Sequence, residues 1–202
     1  MCPRTPWWRC TAATWGASRG LEVLAELAKL SATANARQEG REQSALPPGP
    51  QVTFVFCGNG AGRADLVARC QGLANVRFLD LQPAERLPDL LALADIHLLP
   101  QRADAADLVM PSKLTGMLAS ARPVVATAKE GTELAQVVQG CGLVVPPEDP
   151  AALAQAVLAL AADPARRARL GAAGYAYALA HLDRDAVLQR FEADALALLS
   201  NV

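Results

Sequence analysis

The sequence predicts a doubly wound α/β sandwich, a Rossmann-like parallel sheet with helices on both faces. Two observations carry this. Short apolar runs, VTFVFC, VRFL, IHLL, PVVA and GLVV, alternate with longer stretches of helical period. The runs are continuous rather than alternating and rich in β-branched or aromatic residues, as in strands buried on both faces. Crossovers joining such strands are right-handed.

Residues 1–15 show neither strand alternation nor helical period, and they hold all three tryptophans, Trp7, Trp8 and Trp15. They read as an irregular N-terminal segment preceding a domain over 16–202. From Gly20, LEVLAELAKL places Leu21, Leu24, Ala28 and either Leu27 or Leu30 on one stripe, predicting a helix. Residues 31–50 are polar and Pro-terminated, and read as a flexible linker or loop. Strands are then expected over 52–57, 76–79, 96–99, 123–126 and 142–145. Helices are expected over 63–71, 83–93, 112–120, 131–139, 150–162, 164–180 and 184–199.

Composition narrows the function. The 202 residues suffice for one domain, or two small ones, and the 52% hydrophobic share excludes wholesale disorder. A net charge of −1 argues against a general nucleic-acid binder, which needs basic excess to neutralise phosphates. No apolar run approaches the roughly 20 residues that span a bilayer. MCPRTPWWRC lacks the apolar core of a signal peptide. The five cysteines are odd in number, widely spaced and without a C-x-x-C pair, which predicts a reducing, cytoplasmic compartment. Cys57 and Cys141 read as small core residues. His97 reads as a packed or edge residue of its strand. With His181 the only other histidine, no metal site is expected.

In sheets of this kind ligands bind beyond the carboxyl ends of the strands, so the residues after each strand carry the candidate chemistry. GNGAGR, from Gly58 to Arg63, is a glycine turn whose N–H groups suit a phosphate, and Asp80 follows at roughly the 20-residue spacing of an acidic ribose ligand. Arg63 stands where a dinucleotide fingerprint wants a third glycine. Gly58, Gly60 and Asp80 therefore read as a structural or nucleotide-adjacent turn, with NAD-type binding the outlying alternative. At Pro111-Ser112-Lys113 a serine is placed to cap a helix whose free N–H groups, with the lysine ammonium, suit a diphosphate. An ordinary capped helix with a solvated lysine is the other reading. Asp104 and Asp107 lack a third oxygen ligand and read as solvated loop acids. Gly131 and Thr132 open the next helix, where Glu133 reaches a ligand hydroxyl or simply complements the helix dipole. Arg166, Arg167 and Arg169 read as a solvated helix face.

In order and spacing, VTFVFCGNG, LPDLLALADIHLLP, RPVVAT, GTEL, GLVVPPEDPAALAQAV and DPARRARLGAAG resemble the C-terminal, donor-binding half of family-4-type glycosyltransferases of the GT-B fold. The likeness runs from about Gly16 to Asn201. DLVMPSKLTGMLAS is similar to the subgroup that builds colanic acid and related exopolysaccharides. The resemblance implies a nucleotide-sugar (NDP-sugar) donor and a saccharide or lipid-linked acceptor, with no separate cofactor. It implies a cytoplasmic enzyme, with a peripheral position at the inner membrane open. It places Ser18 and Arg19 beside the family's basic diphosphate contact, matches Lys113 to the subgroup's P-S-K lysine, and matches Glu133 to the acidic residue of a G-x-x-E turn.

Departures accompany the likeness. Leu108 and Gly116 stand where the broad family carries two glutamates, so Lys113 and its helix start are left with more of the diphosphate. Ala13 and Thr14 replace the subgroup's Gly-Asn. The family's N-terminal acceptor domain is not encoded, which makes a truncated copy the expectation, weakly active or inactive alone, or a degenerate nucleotide-binding module needing a separate acceptor domain. Residues 1–15 would then reflect a wrong reading frame or a misplaced start. In such a fold the last helix crosses to the absent domain, so Leu188, Phe191, Ala195 and Leu199 are expected to form an exposed apolar stripe.

Overall fold

A computed structural model of the chain describes residues 8–14, 20–39, 51–105 and 110–200. The strands are β1 (Trp8–Thr14), β2 (Gln51–Cys57), β3 (Val76–Leu79), β4 (Ile96–Leu99), β5 (Val124–Thr127) and β6 (Gly142–Val145). The helices are α1 (Glu22–Glu39), α2 (Arg63–Arg69), α3 (Leu87–Leu93), α4 (Lys113–Ala119), α5 (Glu133–Cys141), α6 (Pro150–Ala162), α7 (Pro164–His181) and α8 (Arg184–Ser200). The strands form one six-stranded sheet in the order β3-β2-β1-β4-β5-β6, and every pairing is parallel. The doubly wound α/β class is as the periodicity predicts.

Two expectations are corrected. Residues 8–14 are not irregular: they form a central strand, pairing Thr14 with Cys57 on one side and Ala12 with His97 on the other. WRCTAAT has little strand character of its own. Its place comes from β2 and β4, whose inner edges would otherwise leave rows of unpaired N–H and C=O groups. The polar stretch after Leu30 is not all linker, because α1 continues to Glu39. Ala, Arg, Gln and Glu there are good helix formers, so polarity in this stretch did not mark a loop.

Both faces of the sheet are packed. On one, Leu24 and Leu27 of α1 meet Phe54, Phe56, Ile96, Leu98 and Val125, with Leu153, Val157 and Leu160 of α6 completing the layer. On the other, Val124, Ala126 and Leu99 meet Leu114, Met117 and Leu118 of α4 and Leu134 and Val138 of α5. Successive residues of β5 thus go to opposite layers, as the two-residue period of a strand requires. Cys57, Cys70 and Cys141 are buried free thiols, and burial pushes Cys141 up to about 11. His97 is fully buried, its Nε2 2.9 Å from Ser120 Oγ. The Ser120 hydroxyl donates to the Met117 carbonyl, so the histidine nitrogen is the donor between them.

Local signals explain the helix ends. Asp149 and Asp163 precede Pro150 and Pro164, and their carboxylates accept from Ala152 and Arg166 N–H at 2.9 and 2.8 Å. Arg167 departs from the solvated-face reading. It is buried, and its guanidinium donates to the Leu160 and Ala161 carbonyls in the last turn of α6, where the i+4 N–H donors run out. α7 also comes close at Gly171, where any Cβ would collide with the Ala121 carbonyl. The stripe on α8 is exposed at Leu188, Phe191 and Leu199 and half-buried at Ala195. Among the described residues no helix is long and apolar enough to cross a membrane.

Candidate functional site at the carboxyl edge of the sheet

Parallel pairing puts all the strand exits on one edge. Strand order reverses between β1 and β4, where the chain goes from β1 outward to β3 and returns to β4, so a crevice opens beyond these two ends. A cavity of about 400 Å³ lies at this edge, lined by Gly20, Glu22, Val23, Glu26, Gln101, Arg102, Glu148 and Pro150. It joins the start of α1, the exit of β4 and the loop entering α6. Gly20 has φ +110°, and an added Cβ would stand 3.4 Å from the Arg102 Cγ, so glycine lets the two walls approach.

Arg102 binds Asp104 in a fork, Nε to Oδ1 at 3.1 Å and a terminal nitrogen to Oδ2 at 3.2 Å. Asp104 is thus an arginine partner rather than a simply solvated acid. Gln101 is held by Thr127: its N–H donates to the buried hydroxyl at 2.7 Å, and the hydroxyl donates to its carbonyl at 2.7 Å. Glu148, on the opposite wall, has φ +60°, a left-handed conformation costly for a residue with a Cβ. Sequence reasoning missed Gln101, Arg102, Thr127 and Glu148 as named candidates. Only their positions directly after strands pointed to them.

Lys113, at the first turn of α4, is half-buried, and desolvation lowers its pKa from the ordinary lysine range. No ion pair among the described residues engages it. Ser112 does not cap the helix as predicted. Its backbone is already in the helical region and its side chain makes no capping bond, because an N-cap hydroxyl reaches the N–H groups only from an extended conformation. Thr132 does cap α5, accepting from Ala135 N–H at 3.3 Å and donating to the Lys129 carbonyl at 2.8 Å. Gly131 has φ +85°, which turns the chain into that cap, and leaves Glu133 exposed on the first turn. Ser18, Arg19, Asp107 and Leu108 lie outside the described residues.

The GNGAGR turn follows β2, one strand away from the strand-order reversal, and Arg63 fills it. The guanidinium donates to the Gly58 and Leu79 carbonyls at 2.8 and 3.2 Å, to Asn59 Oδ1 at 3.0 Å, and pairs with Asp80 at 3.0 Å. Gly58 has φ +135° and its N–H bonds the Leu79 carbonyl. Gly60 accepts from Arg63 N–H at 2.9 Å. These contacts make the turn a self-contained hydrogen-bonded structure, with Arg63 where a dinucleotide fingerprint wants its third glycine. Among the described residues no group of three His, Cys, Asp or Glu is arranged to hold a metal ion.

The comparisons agree with this architecture. The chain is 37% identical over 149 residues to a protein described as the putative colanic acid biosynthesis glycosyl transferase WcaI of Escherichia coli (strain K12), covering 69% of this chain and 35% of that one. It thus spans about a third of the length of the curated relatives it matches. Among solved structures, Anabaena Alr3699/HepE in complex with UDP-glucose aligns with a TM-score of 0.67 at 20% identity, covering 93% of this chain and 48% of that one. Staphylococcus aureus TarM aligns at 0.69 and 14%, covering 91% and 34%. These likenesses give the fold, that of the C-terminal half of a GT-B glycosyltransferase. The model of glycosyl transferases group 1 matches residues 30–163, and by that match this chain belongs to the glycosyl transferases group 1 family.

Proposed function

We propose that this chain is the donor-binding half of an NDP-sugar-dependent glycosyltransferase acting in cell-surface polysaccharide biosynthesis. The donor lies along the carboxyl edge, its diphosphate toward Ser112 and Lys113, with Glu133 and the Gly131-Thr132 turn beside the sugar. Ser18 and Arg19, before α1, add a further cationic contact. The observation that carries this reading is Lys113, a desolvated ammonium without an ion-pair partner among the described residues. A dianionic ligand compensates the ammonium's lost hydration, and the charge serves the leaving diphosphate as the glycosidic bond breaks.

The chain's catalytic contribution is orientation and charge neutralisation at the leaving group. The acceptor, a saccharide or lipid-linked sugar, meets the donor on a wall supplied by another domain, which fits a cytoplasmic or peripheral inner-membrane setting. Calorimetric titration with UDP-sugars, GDP-sugars and NAD tests the reading. Binding of a nucleotide sugar, weakened about tenfold by Lys113→Gln, is expected. Binding of NAD alone, with no response to either nucleotide sugar, overturns it.

A further inference from the structure

We infer that Gly62 is a positioning residue for the donor site, and that the GNGAGR turn is a fixed platform for the start of α1. Its functional part rests on the donor reading proposed above. Gly62, just before α2, has φ −81° and ψ 0°, a turn conformation open to residues with a side chain. Glycine is therefore needed there for space and not for backbone freedom. A Cβ would stand 2.6 Å from the Cδ1 of Leu21 and 3.9 Å from its Cγ. The second distance is ordinary contact, and the first falls about 0.8 Å short of it.

The two sides of this contact differ in how far they yield. On the turn's side, Arg63 ties the loop to the Gly58 and Leu79 carbonyls, to Asn59 and to Asp80. The Gly62 carbonyl itself accepts from Leu66 N–H at 3.1 Å. On the other side, Leu21 is half-buried against the core layer that holds Leu24 and Leu66. Its carbonyl starts α1, accepting from the Leu24 and Ala25 N–H groups at 3.1 and 3.4 Å. Its neighbour Gly20 lines the cavity beside Arg102, and Glu22, Val23 and Glu26 of the first turns of α1 line it too. Ser18 and Arg19 directly precede Gly20 in the chain. A side chain at position 62 therefore displaces the start of α1 and not the turn, and the shift reaches the cavity wall through one residue. A site that works by orienting its donor is sensitive to shifts of this size.

Two measurements on the complete 202-residue chain test this: calorimetric titration with a UDP-sugar and a GDP-sugar, and hydrogen exchange at the Leu24 and Ala25 amides. Gly62→Ala should weaken nucleotide-sugar binding about tenfold and lower the protection of both amides, with the melting temperature close to wild type. Leu21→Val shortens the side chain to its γ carbons, the distance already tolerated. Added to Gly62→Ala, it should restore both affinity and protection. Gly140→Ala, in open space, should change neither. Undiminished affinity in the Gly62→Ala chain overturns the inference, because Leu21 then turns aside without moving α1. So does a loss that Leu21→Val fails to rescue. If the wild type binds neither nucleotide sugar, the donor reading fails and exchange decides the positioning role. Lost protection rescued by Leu21→Val then upholds that role, and unchanged protection overturns it.

Discussion

The hydroxyl of Thr127, at the end of β5, takes both backbone polar groups of Gln101, just beyond the end of β4, at 2.7 Å each. The contact joins the exits of two adjacent strands where the sheet edge turns into the cavity wall. A buried hydroxyl used as both donor and acceptor is fully satisfied, and it fixes the backbone that carries Arg102.

Thr127→Val keeps the shape and removes both bonds, stranding an N–H and a carbonyl in a part-buried setting. A loss of about 2–3 kcal/mol is expected, read as a shift in the urea midpoint with unchanged slope. Thr127→Ser, which keeps the hydroxyl, should lose much less. Equal losses for the two would show that the methyl group, and not the hydroxyl, carries the effect.

Lys113 makes a pH-dependent prediction with a definite sign. Its folded pKa is depressed by desolvation, so between that value and the ordinary 10.5 the unfolded chain holds a proton that the folded chain has released. Stability therefore carries the full penalty below the folded pKa, and the penalty is relieved as pH rises through it. Lys113→Met should raise the melting temperature at pH 7, with the gain shrinking as pH approaches 10.5. A gain independent of pH would assign the effect to packing.

Gly171→Ala places a methyl group against the Ala121 carbonyl, where α7 has no room to yield without moving. A cost of about 1–3 kcal/mol is expected, measurable by thermal unfolding. The same substitution at Gly140, with open space around it, should be neutral or slightly stabilising.

Much of the fold was legible because its information is local. VRFL, IHLL and GLVV are short, β-rich and bounded by polar or glycine residues, and each is a strand at the expected positions. The D-P pairs that start α6 and α7 act through bonds three residues away. WRCTAAT was not legible, since its strand state comes from partners β2 and β4 far along the chain. Arg167 was missed for the same reason: a guanidinium that caps another helix has the same sequence appearance as one in solvent.

By itself the sequence determined the α/β class, most element positions, the strand exits as the place for ligands, and the family likeness, because these follow from periodicity, short-range caps and residue order. Only the tertiary structure decided which exit lies at the strand-order reversal, that Arg63 occupies the GNGAGR turn, and that Thr127 holds Gln101. Those are relations between residues distant in sequence. Non-local contacts and the order of strands in the sheet set them, and neither leaves a periodic signature along the chain.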